Sequence, residues 1–169
     1  TEGIHTIGGA RVATQFLNHP AMTVGYRVEV DGVAVEYLVD HEPFSDELWR
    51  AGAEPGRIES ILHEGDRRHA KFMADAELVI HDAQYTPEEY GLKKTWGHST
   101  YDYVVRIAAA AGVQRVALTH HDPGHEVIGR LVGRLVVERD DHHGVDPACL
   151  QQVELLLQVG EQLGGRLRT

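Results

Sequence analysis

The stretch Val116-Ala117-Leu118-Thr119-His120-His121-Asp122-Pro123 decides how the rest of the chain is interpreted. Its first residues form a short apolar run that favours a buried strand, and the run ends in imidazoles, a carboxylate and a proline. Polar groups at the end of a buried strand sit on a rigid support and face a loop rim, where α/β proteins place ligand chemistry. An isolated His-His pair more often belongs to a turn that caps a strand, so this interpretation needs similar clusters elsewhere in the chain.

A hairpin upstream supplies further polar residues at strand ends. Residues 23–30 and 33–39 are strand candidates, and the Asp31-Gly32 pair between them is a strong hairpin signal. The second of these strands ends at Asp40, and the strand predicted over residues 11–18 ends at His19. Each residue also has a simpler explanation, because Asp40 could start a turn and His19 could be an exposed loop histidine.

An α/β unit follows the hairpin. Residues 78–80 predict a buried strand that leads into His81 and Asp82, and residues 113–119 predict a second strand. Between them, Ser99 is a favourable N-cap for a helix that runs to about residue 111, with His98 just before it. A strand–helix–strand connection makes its two strands parallel neighbours when they share one sheet. Asp82 could equally cap a turn, and His98 could be a surface residue.

The remaining segments predict helices and no further chemistry. Apolar periodicity indicates helices over residues 66–76 and 127–138, and a last helix from Asp146 to about residue 163. The sequence begins without methionine inside a strand-rich region, so we expect it to be part of a longer protein. A sheet face left exposed in such a part could promote association into a homo-oligomer.

The composition is that of a globular chain without a membrane-spanning segment. The sequence has 169 residues, enough for one domain with a sizeable core, and 42% of them are hydrophobic while 25% are charged. Its apolar stretches are shorter than the roughly 20 residues that a membrane span needs, so no membrane partner is expected. The formal net charge of −10 argues against a nucleic-acid backbone as an unaided partner.

The histidine and cysteine content restricts the metal chemistry that is open to the chain. There are 12 histidines and one cysteine, Cys149, which excludes both a disulfide framework within the chain and a sulfur-rich zinc site. A bound metal would therefore have imidazole and carboxylate ligands, the set that suits catalytic zinc or manganese. A single cysteine also suits a reducing compartment, and we expect a cytoplasmic protein.

Taken together, these motifs form an ordered series. They resemble the C-terminal half of a metallo-β-lactamase-fold hydrolase, nearest to the branch of the ribonuclease Z-type tRNA-maturing endonucleases and related phosphodiesterases. The resemblance covers roughly residues 11–123 and implies an α/β fold of the αββα sandwich type. Residues 1–169 would form one partial domain, with residues 124–169 as its C-terminal helices. The motifs are Asn18-His19-Pro20, Gly25-Tyr26-Arg27, Leu38-Val39-Asp40, Val79-Ile80-His81-Asp82-Ala83, Gly97-His98-Ser99-Thr100 and Leu118-Thr119-His120.

The resemblance also implies a role for each candidate residue. His19 and His120 match ligand histidines of the family, and Asp40 matches the aspartate that bridges two divalent metal ions, zinc or alternatively manganese. His98 matches the histidine of a His-Ser-Thr loop that acts on the scissile phosphate or the leaving oxygen. Asp82 stands where this branch carries the glutamate of a His-Glu-Ala-Thr stretch, so we expect it to support His98.

The expected function is metal-dependent hydrolysis with a dinuclear metal-activated hydroxide. The family's first ligand cluster, His-x-His-x-Asp-His, does not occur in this chain, so we expect weak metal binding and no turnover from the chain alone. The acidic charge favours a small ester or phosphodiester substrate and makes nucleic acid an unfavourable partner. The alternatives are lactone or thioester hydrolysis on the same fold, or a non-catalytic binding or regulatory role.

Overall fold

A mixed sheet whose strands lie in chain order forms the framework of the protein. The computed structural model describes residues 2–50, 56–120, 136–140 and 144–145. The first four strands pair antiparallel with one another, whereas the fifth pairs in parallel with the fourth and the sixth in parallel with the fifth. The strands are β1 (Gly3–Ile7), β2 (Ala10–Phe16), β3 (Val24–Val30), β4 (Val33–Leu38), β5 (Leu78–Asp82), β6 (Arg115–Thr119), β7 (Val136–Asp140) and β8 (Gly144–Val145).

The predicted hairpin is present as β3 and β4. The two strands pair from Tyr26 opposite Tyr37 to Val30 opposite Val33. The connecting Asp31 and Gly32 have φ angles of 51° and 82°, the double positive φ that a two-residue turn matching the strand twist requires. Turn chemistry therefore fixes the register of this pair, and the sequence prediction is confirmed.

The parallel strands β4, β5 and β6 bring the carboxyl ends of three strands to one edge of the sheet. Leu38 pairs with His81, and Asp82 pairs with Thr119. The crossover from β5 to β6 contains the helices α2 (Pro87–Lys93) and α3 (Tyr101–Ala110), whereas α1 (Glu64–Met73) precedes β5. The residues that follow these strands, including Asp40 and His120, must consequently lie near one another.

Helices α1 and α3 cover one face of the sheet and build the core. In β4, Ala34, Glu36 and Leu38 are buried on this face. The core joins small and aliphatic side chains of the sheet to those of both helices, and Tyr103 of α3 is fully buried among them. Its members include Leu38, Val79, Val116, Leu118, Ala70, Met73, Val104, Ile107 and Ala108.

The opposite face of β3 and β4 is apolar and exposed within the described part of the chain. Its side chains alternate with the buried ones, as the two-residue period of a strand dictates. Helices on one face and bare apolar residues on the other are the arrangement expected of one half of a four-layer αββα sandwich. The exposed side chains are Phe16 of β2 with Tyr26, Val28, Val30, Val33, Val35 and Tyr37.

Some sequence predictions need correction. Residues 136–138, predicted as the end of a helix, belong to β7 and pair antiparallel with β6. The β-branched Val136 and Val137 suit a strand, and the edge of β6 offers them backbone hydrogen bonds. The N-cap of α3 is Thr100, whose hydroxyl accepts from the Tyr103 amide, and not Ser99. None of the described helices is long and apolar enough to cross a membrane.

The other C-terminal predictions lie outside the described residues. They concern the first part of the helix over residues 127–138, the helix from Asp146 to about residue 163, and the residues that follow His120 in the opening stretch. They stay predictions, as does the division of the chain into one partial domain and a helical tail.

Candidate metal and catalytic site

The carboxyl ends of the parallel strands bring four titratable residues together. One ligand atom from each of Asp40, Asp82, His98 and His120 lies within 4.8 Å of the ligand atoms of the others. Asp40 follows β4, Asp82 ends β5, His120 follows β6, and His98 precedes α3. The structure therefore places four of the five residues named from the sequence in one cluster.

Backbone strain aims two of these side chains into the cluster. Asp40 has a φ of 59° and His120 a φ of 61°, a region that residues other than glycine rarely adopt. Such strain costs free energy and persists where the surrounding fold imposes it, often at functional sites. The two strained residues meet directly, because Nδ1 of His120 lies 2.9 Å from Oδ1 of Asp40.

Asp82 and His98 form a second, more buried pair. Nδ1 of His98 lies 2.7 Å from Oδ2 of Asp82, whose side chain is fully buried. Backbone amides of His41 and Gln84 donate to the same carboxylate, each at 3.2 Å, and hold it in place. The hydrogen bond to Asp82 raises the pKa of His98 above its ordinary value, although partial burial of the imidazole opposes this shift.

These donors have the chemistry of a divalent-metal site. Two carboxylates and two imidazoles suit zinc or manganese, and Asp40, His98 and His120 keep part of their surface open to solvent. The arrangement supports two assignments for Asp82, as a metal ligand or as the acceptor that orients His98. Its three hydrogen bonds favour orientation, because they use three of the roughly four acceptor positions of the carboxylate.

His19 lies at the rim and outside the four-residue cluster. Its ring centroid is 5.7 Å from that of His98, and its Nδ1 accepts a hydrogen bond of 3.1 Å from the Ala21 amide. A Cβ atom on Gly97 would collide with the His19 ring, and the φ of 92° at Gly97 favours glycine there. The predicted role of His19 as a metal ligand stays a prediction.

Glu42 holds the loop that carries His98, and sequence reasoning did not identify it. Its buried carboxylate accepts hydrogen bonds from the backbone amides of Thr95 at 2.6 Å and Gly97 at 3.0 Å. The hydroxyl of Tyr90 donates to the same group at 2.9 Å. No local pattern could have indicated this role, because the partners are about fifty residues away in the sequence.

Three buried imidazoles lie behind the cluster and were also missed as a group. The rings of His41 and His69 stack at 3.8 Å, and Nε2 of His69 lies 3.0 Å from Nε2 of His81. Burial lowers the pKa of each ring, so the three are neutral near neutral pH.

A single set of tautomers satisfies this group. His81 donates from Nδ1 to the Asp82 carbonyl at 2.7 Å, so its Nε2 accepts from His69. Nδ1 of His69 then faces the Gln15 amide at 3.5 Å. His41 accepts from the Asn18 amide through Nδ1 and directs Nε2 to the Tyr103 hydroxyl. Two of these histidines flank Asp40 and Asp82, so the group fixes the backbone on which the cluster is built.

Comparisons with known proteins agree with this arrangement. No family model matches the chain. It is 30% identical over 163 residues to the ribonuclease Z of Lactococcus lactis subsp. cremoris, covering 78% of this chain and 51% of that protein. It is 40% identical over 70 residues to the ribonuclease Z of Haloferax volcanii, covering 39% of this chain and 22% of that protein. The chain thus spans about half the length of the first of these relatives.

Two solved structures share the fold. The metallo-β-lactamase fold protein YhfI from Bacillus subtilis matches with a TM-score of 0.51 and 20% identity, over 70% of this chain and 39% of its own. The short form of human tRNase Z matches with a TM-score of 0.50 and 21% identity, over 70% of this chain and 38% of its own. These likenesses confirm the predicted fold class.

The prediction of a small ester substrate, with nucleic acid disfavoured, is wrong. The relatives are named ribonuclease Z and one matched structure is a tRNase Z, so these relatives act on RNA. The error came from the net charge of −10, which is a sum over the chain and carries no information on the local charge beside the site. Over the matched part of its length, the chain resembles the ribonuclease Z branch of the hydrolases and has the metallo-β-lactamase fold.

Proposed function

We propose that the protein is a metal-dependent hydrolase that cleaves a phosphodiester bond of RNA. The convergence of Asp40, Asp82, His98 and His120 at one sheet edge carries this proposal. The similarity to ribonucleases Z supplies the substrate class. We place the activity in the cytoplasm, which the single cysteine of the chain suits.

The metal-binding part of the proposal rests on three side chains. Asp40 and His120 are the most open pair of donors, with 34% and 42% of their side chains exposed, and they would hold a divalent ion. His19, whose ring centroid lies 5.7 Å from that of His98, would be a further ligand for a second ion. When bound, zinc or manganese lowers the pKa of water towards neutrality and offsets negative charge on a phosphate.

His98 is the proposed general acid. Cleavage forms a bond from the water oxygen to phosphorus and breaks the bond between phosphorus and the leaving oxygen. The leaving oxygen then takes up a proton, while the proton of the attacking water passes to solvent. The hydrogen bond to Asp82 raises the pKa of His98 above its ordinary value, so it favours the imidazolium that would protonate that oxygen. The hydrogen bond to Asp82 uses Nδ1, so Nε2 is the nitrogen that would face the substrate.

The test measures metal content and RNA cleavage together, on the protein at its full encoded length. Replacement of His120 by alanine should lower bound metal and cleavage of a 3′-extended tRNA precursor in parallel, because the imidazole is a proposed ligand. The matched control is His5→Ala, since His5 is exposed on β1 and distant in sequence from every cluster residue. Full metal content and full cleavage in the His120 variant would refute the proposal.

A further inference from the structure

The loop that leads into His98 exposes an aromatic ring beside a lysine. We propose that Trp96 and Lys93 form a subsite for an unpaired nucleotide of the RNA, in which the indole stacks on the base and the ammonium contacts a phosphate. This inference rests on the proposed function and specifies how that site recognises its substrate. It assigns a local recognition element to a chain whose overall charge is negative.

The exposure of Trp96 is the first observation. The side chain is 56% exposed, whereas tryptophan usually buries most of its large apolar surface. The other tryptophan, Trp49, follows that rule: it is half-buried and packs edge-on against the ring of Tyr90 at 5.0 Å. An exposed indole on the loop of a candidate catalytic histidine offers a flat apolar surface to a ligand.

The rigidity of the loop is the second observation. The residues on both sides of Trp96 donate their backbone amides to the buried carboxylate of Glu42, at 2.6 and 3.0 Å. The amide of Trp96 itself donates to the Lys93 carbonyl at 3.2 Å. A ring held on a fixed backbone loses little conformational freedom when a ligand binds, which favours affinity.

The position of Lys93 is the third observation. Its ammonium lies 4.1 Å from the centre of the Trp96 ring and 5.9 Å from that of Tyr85. The Tyr85 ring in turn lies 6.1 Å from the ring of His98, so these contacts connect the subsite to the candidate acid. Phosphate contacts position a nucleic acid, and a lysine next to a stacking ring supplies one.

Among the described residues, the ammonium of Lys93 contacts aromatic rings but no carboxylate. The neighbouring Lys94, in contrast, is 2.6 Å from Asp46. Aromatic stacking accepts any unpaired base, because every base has a flat face, and a lysine contact to phosphate does not depend on sequence either. The subsite therefore recognises single-stranded RNA without sequence preference.

The experiment compares RNA with a small diester, using the protein at its full encoded length. We expect Trp96→Ala to lower the ratio of kcat/KM for a 3′-extended tRNA precursor to kcat/KM for bis-para-nitrophenyl phosphate by about 5- to 150-fold. Trp96→Phe should restore most of that ratio, since phenylalanine still stacks. Lys93→Gln should reduce the slope of log affinity against log salt concentration by about one. The control is Leu92→Ala, which removes an apolar neighbour that is even more exposed than Trp96.

A binding measurement separates this inference from the proposed function. Single-stranded oligoadenylate should quench tryptophan fluorescence in the wild type and in Trp49→Phe, but not in Trp96→Phe. The duplex of oligoadenylate with oligouridylate should not quench it, because its bases are already paired and stacked. Such quenching in a protein that cleaves no RNA would support the subsite and refute the hydrolase proposal. Cleavage with an unchanged ratio in Trp96→Ala, or quenching that survives in Trp96→Phe, would overturn the subsite.

Discussion

Replacement of Asp82 by asparagine is the most direct test of the pair that it forms with His98. The carboxylate accepts the 2.7 Å contact from Nδ1 of His98 and two backbone amides at 3.2 Å. Asparagine keeps the size and planar shape of the side chain but removes the charge and one of the two acceptor oxygens. The substitution thus removes the charge and one acceptor while it keeps the shape of the side chain.

Two separate effects are expected from Asp82→Asn, one on activity and one on stability. Loss of a supporting carboxylate behind a functional histidine typically lowers activity by about 10- to 100-fold, and we expect kcat for RNA to fall by that factor. One buried amide also loses its acceptor, which costs about 1–3 kcal/mol of folding free energy. Urea unfolding measures the second effect, so it can be separated from the first.

The test also predicts the direction in which the pH dependence of kcat changes. If imidazolium at His98 is the proton donor, kcat falls as the pH rises through the pKa of His98. Because the hydrogen bond to Asp82 raises that pKa, the variant should lose activity at a lower pH than the wild type. The same raised pKa means that charged His98 stabilises the fold below the pKa of the unfolded chain. That stabilisation is lost as the pH rises through the folded pKa.

Asp66→Asn is the matched control for this prediction. Asp66 is also fully buried, and it accepts hydrogen bonds from Tyr103 at 2.9 Å, Phe44 at 3.0 Å and Ser45 at 2.6 Å. Its loss should reduce stability by a similar amount and leave the alkaline limb of the kcat profile where it is. An unmoved limb in Asp82→Asn, or an equal displacement in both variants, would refute the assignment of His98 as the acid.

Two other substitutions probe the loops and the core. Gly97→Ala should lower RNA cleavage by at least about 10-fold, because its Cβ would displace the His19 ring. In the control Gly32→Ala the new Cβ meets no neighbouring atom, so only stability should change. Measurements of kcat and of urea unfolding on both variants decide this. Above about pH 8, Arg27→Met should cost about 3–5 kcal/mol in urea unfolding, because it leaves the ionised, fully buried Glu36 without the guanidinium that lies 2.6 Å away. Burial raises the pKa of Glu36 to about 8. The loss of stability in Arg27→Met should therefore shrink as the pH falls below that value, because the carboxyl takes up a proton. A loss of stability that does not depend on pH would contradict this reasoning.

The parts of the fold that sequence could predict are those set by short-range chemistry. The turn at Asp31 and Gly32 needs only a local positive-φ signal, and the parallel pairing of β5 with β6 follows from their helical crossover. The predicted N-cap of α3 was one residue too early, because Ser99 and Thr100 both carry hydroxyls. Which of them caps α3 depends on a distant acceptor, since Ser99 donates to the carbonyl of His41. Residues 136–138 were misjudged because a short apolar run fits a helix or a strand, and the available edge of β6 decides between them.

The same distinction between short-range signals and long-range contacts applies to the residues of the candidate site. Asp40, Asp82 and His120 could be named because each lies at the carboxyl end of a strand, and parallel strands bring such ends together. Glu42 and His69 could not be named, since their partners lie tens of residues away and become neighbours only in the folded chain.

The count of 12 histidines drew attention to metal chemistry but could not by itself identify ligands. A neutral imidazole can be a metal ligand or a buried hydrogen-bonding group, and the residue type is the same in both cases. His120, the proposed ligand, and His81, a buried hydrogen-bonding group, differ in backbone conformation and in exposure. His120 is turned out of its strand by a φ of 61° and remains exposed, whereas His81 keeps its place within β5 and is fully buried. Asp40 shows the same left-handed backbone as His120, but so does Asp31 in the hairpin turn. The 2.9 Å contact between Asp40 and His120 at the sheet edge, and not φ alone, therefore distinguishes the proposed ligand pair.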